Sequence, residues 1–128
     1  MGYSLVDILQ AIGDVKSLEV LIALTKGPVR SDTLRQRVGI TKKQFYFRTH
    51  KLLGSGIIQR KKGKFSLTSL GLVVYQAQVI IQAGLNGYWK LKAIDSIDAS
   101  GQISDIEREK LVKTILNDNT VASILLKH

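Results

Sequence analysis

Residues Thr41 to Leu67 read TKKQFYFRTHKLLGSGIIQRKKGKFSL, and three local signals in them fix the expected elements. Thr41 with Gln44 three residues on is a capping box, in which each side chain satisfies the other residue's backbone N–H. Phe45, Thr49, Leu52 and Leu53 follow at i, i+4, i+7 and i+8 spacing, so they share one face of a helix. The other face carries Lys43, Gln44, Tyr46, Phe47, His50 and Lys51. Gly54 and Gly56 end the helix. Ile57–Lys61 and Lys64–Leu67 then read as two strands around Lys62-Gly63, a β-hairpin with a cationic tip, with Ile58, Phe65 and Leu67 free to pack.

Upstream, Leu5, Ile8, Leu9 and Ile12 recur at the helical period, and Gly13 either breaks or bends that stretch. Asp14 can cap a second helix, with Leu18, Leu21 and Ile22 as its stripe, and Gly27-Pro28 stops it. Val29-Arg30 reads as a short strand. Ser31 is expected to cap a helix with Asp32 in its first turn and Leu34 and Val38 facing inward. Gly39 makes a tight turn and Ile40 plugs the core. Two short helices joined by a glycine turn make a helix-turn-helix.

Downstream, Thr68 opens a long helix striped by Val73, Val74, Ala77, Ile80 and Ile81. Gly84 and Asn86-Gly87 predict a kink or break. Tyr88, Trp89, Leu91 and Ile94 continue the apolar pattern, and Asp95–Gly101 reads as a loop. Ser104 with Glu107 forms another capping box ahead of Leu111, Val112, Ile115 and Leu116. Asn117–Thr120 interrupts, and Val121, Ile124 and Leu125 mark a last short helix. The expected class is mainly α with a small β-hairpin, organised as residues 1–67 and a helical extension, 68–128.

Charge separates these halves. Residues 1–67 hold 13 Lys and Arg against 4 Asp and Glu, whereas residues 68–128 hold 6 of each. The whole net charge of +9 therefore lies on the first half, which points to a polyanion partner there and a different task for the second. A helix fits the major groove of duplex DNA, and a basic ribbon beside it can grip neighbouring phosphates. Hydrophobic residues make up 45% of the 128, too many for a disordered basic tail. There is no cysteine, which excludes disulfides, thiolate metal sites and a cysteine nucleophile. The N-terminus lacks a basic n-region and carries Asp7, so no secretion signal is expected. Gln76, Gln78 and Gln82 make the most apolar run too polar for a membrane span. A cytoplasmic, nucleoid-associated protein is the expectation.

Ser31–Val38, Thr41–Leu53, Gly56-Ile57-Ile58, Lys61-Lys62-Gly63-Lys64 and Phe65-Ser66-Leu67-Thr68 follow one another in the order seen in winged helix-turn-helix domains. Over roughly the first 75 residues the chain resembles the small bacterial and archaeal transcription regulators built on that domain. The resemblance implies a sequence-specific duplex-DNA-binding regulator, with helix 41–53 in the major groove and wing 60–64 on the flanking backbone. It implies that Thr41, Lys42 and Lys43 hold phosphate at the helix N-terminus. Lys43, Tyr46 and Phe47 would meet base edges, Phe47 through a thymine methyl unless it is buried against the wing. Gln44 would either reach adenine or serve the cap, the simpler role. Arg48, His50 and Lys51 would touch backbone, and Arg60, Lys61, Lys62 and Lys64 would form the wing. The alternative is a winged-helix interaction module whose basic face docks on a transcription or replication complex.

The neutral, apolar-striped second half reads as a dimerisation region, since two-fold DNA sites need two reading heads at fixed spacing. Val73, Val74, Ile80, Ile81, Tyr88, Trp89 and Ile94 are the candidate interface, unless they pack on the protein's own core. Ser96 to Glu107 resembles an EF-hand calcium loop, but Ser96 stands where Asp is wanted, and Ser104 and Glu107 already suit a helix cap. The two histidines, His50 and His128, have no Ser/His/Asp set, metal-ligand spacing or phosphate loop around them, so neither an enzyme nor a cofactor is expected.

Overall fold

The computed structural model describes residues 4–128; the start of the stretch read for a leader, Met1–Tyr3, lies outside it. The chain is mainly helical with one small antiparallel sheet, and it divides into a first unit ending at Gln76 and a second unit, Ala77–His128. No helix among the described residues is long and apolar enough to cross a membrane.

In the first unit, α1 (Leu5–Ile12) and α2 (Val15–Ala23) are separate helices, because Gly13 closes one and Asp14 opens the other by accepting from the Ser17 amide at 2.9 Å. The apolar stripe of α1 is split. Ile8 and Ile12 pack against the core beside buried Ala11, while Leu5 and Leu9 are exposed. Ile22 of α2 is also exposed, although its expected partners Leu18 and Leu21 pack inward.

β1 (Val29–Arg30) leads directly into α3 (Ser31–Val38). Ser31 is not the cap that the sequence predicts. Ser31 is already the first residue of the helix, and its amide, which has no intrahelical partner, donates to the Gly63 carbonyl at 3.1 Å. Arg30 takes the cap position without a side-chain bond. Gly39, at φ 72°, turns the chain towards α4 (Lys42–Gly54), whose capping box forms as expected. Leu21, Leu24, Leu34, Leu52 and Ile57 are fully enclosed at the centre of this unit, with Phe45 and Phe65 meeting edge to face at 5.9 Å.

The sheet places β3 (Lys64–Leu67) between β1 and β2 (Ile58–Lys61). Thr68 links it to α5 (Ser69–Asn86): its hydroxyl accepts from the Gly71 amide at 2.9 Å, and its own amide donates to the Ile57 carbonyl at 3.1 Å. Gly71 runs so close to the Ile57 carbonyl that a Cβ there would collide with it. The boundary between the units thus falls within α5 and not before Thr68.

The second unit holds α6 (Tyr88–Ser100), α7 (Asp105–Ile115) and α8 (Asn119–Leu126), packed around Ile94, Val112, Leu116, Val121 and Ala122. The helix breaks at Gly87, but Gly84 passes without interruption. Asp95–Ser100 is helix, contrary to the expected loop. Ser96 and Ser100 return their hydroxyls to the carbonyls of Lys92 and Ile97, at 3.1 and 2.7 Å, and only Gly101, at φ 65°, ends α6. Asp98 is held by Arg108 at 2.7 and 3.2 Å, and the hydrogen bonds from Arg108 keep its carboxyl below the usual range. The calcium-loop likeness therefore fails in geometry: its first five positions are helical and its central carboxylate is engaged.

Candidate nucleic-acid interface

The exposed side of α4 carries two parallel rows, each at i, i+4, i+8 spacing. Lys42, Tyr46 and His50 form one; Lys43, Phe47 and Lys51 form the other. Within the first, the rings of Tyr46 and His50 stack with centroids 6.0 Å apart and planes 16° from parallel. Within the second, the Lys51 ammonium lies over the Phe47 ring, 4.6 Å from its centroid. Phe47 is 57% exposed, so burial against the hairpin, one of its two expected roles, is not observed.

Three residues expected on this surface are turned to other work. Gln44 accepts from the Thr41 amide through Oε1 at 3.2 Å, while Thr41 Oγ1 accepts from the Gln44 amide at 3.2 Å, so both serve the cap. Arg48 points away from the two rows. Its Nε donates to Asp14 Oδ1 at 3.0 Å and its Nη1 to the Gln44 carbonyl at 3.3 Å. This position follows from the helical angle, since Arg48 sits beside Phe45 and Leu52 on the inward half of α4. At Asp14, burial opposes ionisation, but bonds from the Ser17 amide, Arg48 and the Ser17 hydroxyl outweigh it and hold the carboxyl below its ordinary value.

The hairpin concentrates charge further. Lys64 pairs with Lys61 on one side and with Arg30 on the other, so three cations stand in one rung of the sheet. Like charges directly opposite one another destabilise a sheet. Arg30 has Asp32 nearby at 3.6 Å, but Lys61, Lys62 and Lys64 have no ion-pair partner among the described residues. Lys62 and Gly63 both have positive φ, 53° and 75°, as a two-residue hairpin turn of type I′ requires. Lys62 is the only non-glycine residue in that region among those described, at a position where Asn or Gly is cheaper. Arg60, one rung further in, lies over the Phe65 ring at 5.4 Å.

Between α4, the start of α3 and the hairpin runs a groove of about 580 Å³. Tyr46, His50 and Lys42 line it from α4, Arg60 and Phe65 from the hairpin, and Arg30, Asp32 and Arg35 from the β1–α3 junction. The last three escaped the sequence reading. Pairing the predicted strand Val29-Arg30 with the hairpin would have exposed Arg30 as a neighbour of Lys64.

The candidate interface residues between α5 and α6 divide by burial. Val73, Ile81, Tyr88 and Trp89 are exposed, with Tyr88 and Trp89 in edge contact at 5.1 Å, and Ile80 is half-buried. Val74 and Ile94 are withdrawn into the cores of the first and second units, so they pack on their own chain and are not free to meet a partner.

Comparison of the chain with protein-family models, with curated proteins and with solved structures returns no match, so a functional reading rests on the chemistry of this surface.

Proposed function

We propose that the protein binds duplex DNA without catalysing a reaction, through a winged-helix arrangement in which α4 enters the major groove and residues 60–64 lie on the flanking backbone. The observation that carries this reading is the cationic rung Arg30–Lys64–Lys61 with Lys62 at the tip. It is a costly arrangement within the chain, and a row of phosphates would relieve it. Lys42, Lys43 and Lys51 extend the positive surface along α4. With Gln44 engaged in the cap, base readout falls to Lys43, Tyr46 and Phe47, that is, to one ammonium, a phenol and an apolar ring suited to a thymine methyl, and with Arg48 engaged, backbone contact falls to His50 and Lys51.

The reading makes the protein a transcription regulator working as a homodimer, with Val73, Ile81, Tyr88 and Trp89 as the exposed apolar residues at hand for self-association. Docking on an acidic protein surface is the competing reading, and the exposed ring of Phe47 favours it over a purely phosphate-binding face. Fluorescence anisotropy with labelled random-sequence duplex at several salt concentrations separates the two. Six to eight phosphate contacts give a log–log salt slope of roughly −5 to −7. Light scattering on the same sample gives the mass, and a monomer would remove the dimer from the reading. Absence of duplex binding at low salt would transfer the basic face to a protein partner.

A further inference from the structure

We propose that the groove between α4 and the hairpin takes one unpaired nucleotide of the bound DNA, its base turned out of the stack. This rests on the DNA reading of the same face and names a substrate feature which that reading does not require. In a paired, stacked duplex only base edges and the backbone are accessible, so flat rings on a reading helix find little to stack on. Tyr46 and His50 nonetheless present a stacked aromatic pair to the groove, with Tyr46 71% exposed. Unpaired bases offer their faces, and aromatic side chains are what such bases stack on.

The rest of the lining fits the same ligand. Phe65 belongs to the floor and carries the Arg60 guanidinium above it, a planar cation of the kind that also stacks on bases. Lys42, Arg30 and Arg35 also line the groove and bring positive charge for the phosphate, Arg35 while its Nη1 donates to the Ile40 carbonyl at 3.2 Å. Asp32 sits among them. Its Oδ1 accepts from the Thr33 amide at 2.9 Å, while Oδ2 accepts no hydrogen bond from the described residues. Oδ1 also pairs with Arg30 at 3.6 Å in the first turn of α3, and Oδ2 is left for the amino or imino N–H of a base edge to donate to. The volume of about 580 Å³ lies within the roughly 300–1,000 Å³ of small-ligand sites.

The test uses the full chain and two labelled duplexes that differ only in a central single-nucleotide bulge. The bulged duplex should bind roughly tenfold more tightly, the scale of one base stacked on an aromatic side chain. 5-Iodouracil at the bulged position should crosslink on irradiation to Tyr46 or His50, identified by mass spectrometry. Tyr46→Ala should abolish the preference and Tyr46→Phe should keep it, with circular dichroism showing both folded; His50→Ala, a second variant, should reduce it. Equal binding of the two duplexes without a crosslink overturns the inference and leaves the duplex reading standing. Binding of the bulged duplex alone supports the groove and overturns the duplex reading. A deoxynucleoside monophosphate that displaces the bulged duplex at comparable concentration overturns the strand as the source of the nucleotide. Failure of both duplexes to bind removes the two readings together.

Discussion

Replacing Lys62 with glycine should make the protein more stable and a weaker DNA binder. Lys62 has φ 53° at the hairpin tip. Holding an L-residue in the left-handed region costs about 1–2 kcal/mol. Glycine escapes that cost but loses about 0.5–1 kcal/mol through its freer unfolded chain. Lys62 also adjoins the rung formed by Lys61, Lys64 and Arg30, so removing its charge relieves a few tenths of a kcal/mol of repulsion. The net expectation is a gain of about 0.5–1 kcal/mol, read as a higher urea midpoint with an unchanged m-value. In the salt titration, loss of one phosphate contact should make the slope shallower by about 0.9. Lys62→Asn separates the two effects, since asparagine tolerates positive φ while lacking the charge, and it should behave like glycine in both assays. A less stable Lys62→Gly protein would refute the strain argument. An unchanged salt slope would remove Lys62 from the DNA contact.

Gly71→Ala tests the close approach of α5 to the Ile57 carbonyl. Helix propensity alone predicts a gain of about 1 kcal/mol, whereas the collision predicts a loss of about 1–3 kcal/mol, so the sign of the urea-midpoint shift decides. The carboxyl of Asp14 is held below its ordinary value, so its contribution is fully present above the unfolded carboxylate pKa of about 3.9 and is lost as pH falls through the lower folded value. Asp14→Ala should cost about 1 kcal/mol at neutral pH through the lost cap, and its stability should fall less between pH 4 and pH 2 than that of the parent protein, as measured by thermal melts. Lys43→Ala combined with Lys62→Ala should lose most DNA binding while circular dichroism stays unchanged; retained affinity would place the DNA elsewhere.

Much of the first unit was legible because its signals are local. A capping box at Thr41, a glycine turn at Gly39 and a Lys62-Gly63 hairpin each need only a few neighbouring residues. The split stripe of α1 was not legible, because which side of an apolar helix meets the core depends on elements far along the chain. The Asp95–Ser100 segment misled for a different reason. Its serines and aspartates are turn-formers when their side chains bond nearby backbone, but here Ser96 and Ser100 bond back into the helix and Asp98 reaches Arg108. At the candidate interface, residue types revealed the cations but not their availability. Helical angle already sets Arg48, beside Phe45 and Leu52, apart from Lys43, but its partner Asp14, 34 residues away, shows only in the fold.

That partnership has a spectroscopic use. Arg48 rides on α4, and its guanidinium grips the carboxylate that receives the Ser17 amide. A ligand that displaces α4 along its axis pulls on this carboxylate and lengthens or releases the Ser17 bond. The Ser17 amide resonance and its hydrogen-exchange rate thus serve as a strain gauge for the helix. Docking that leaves α4 in place would leave both unchanged.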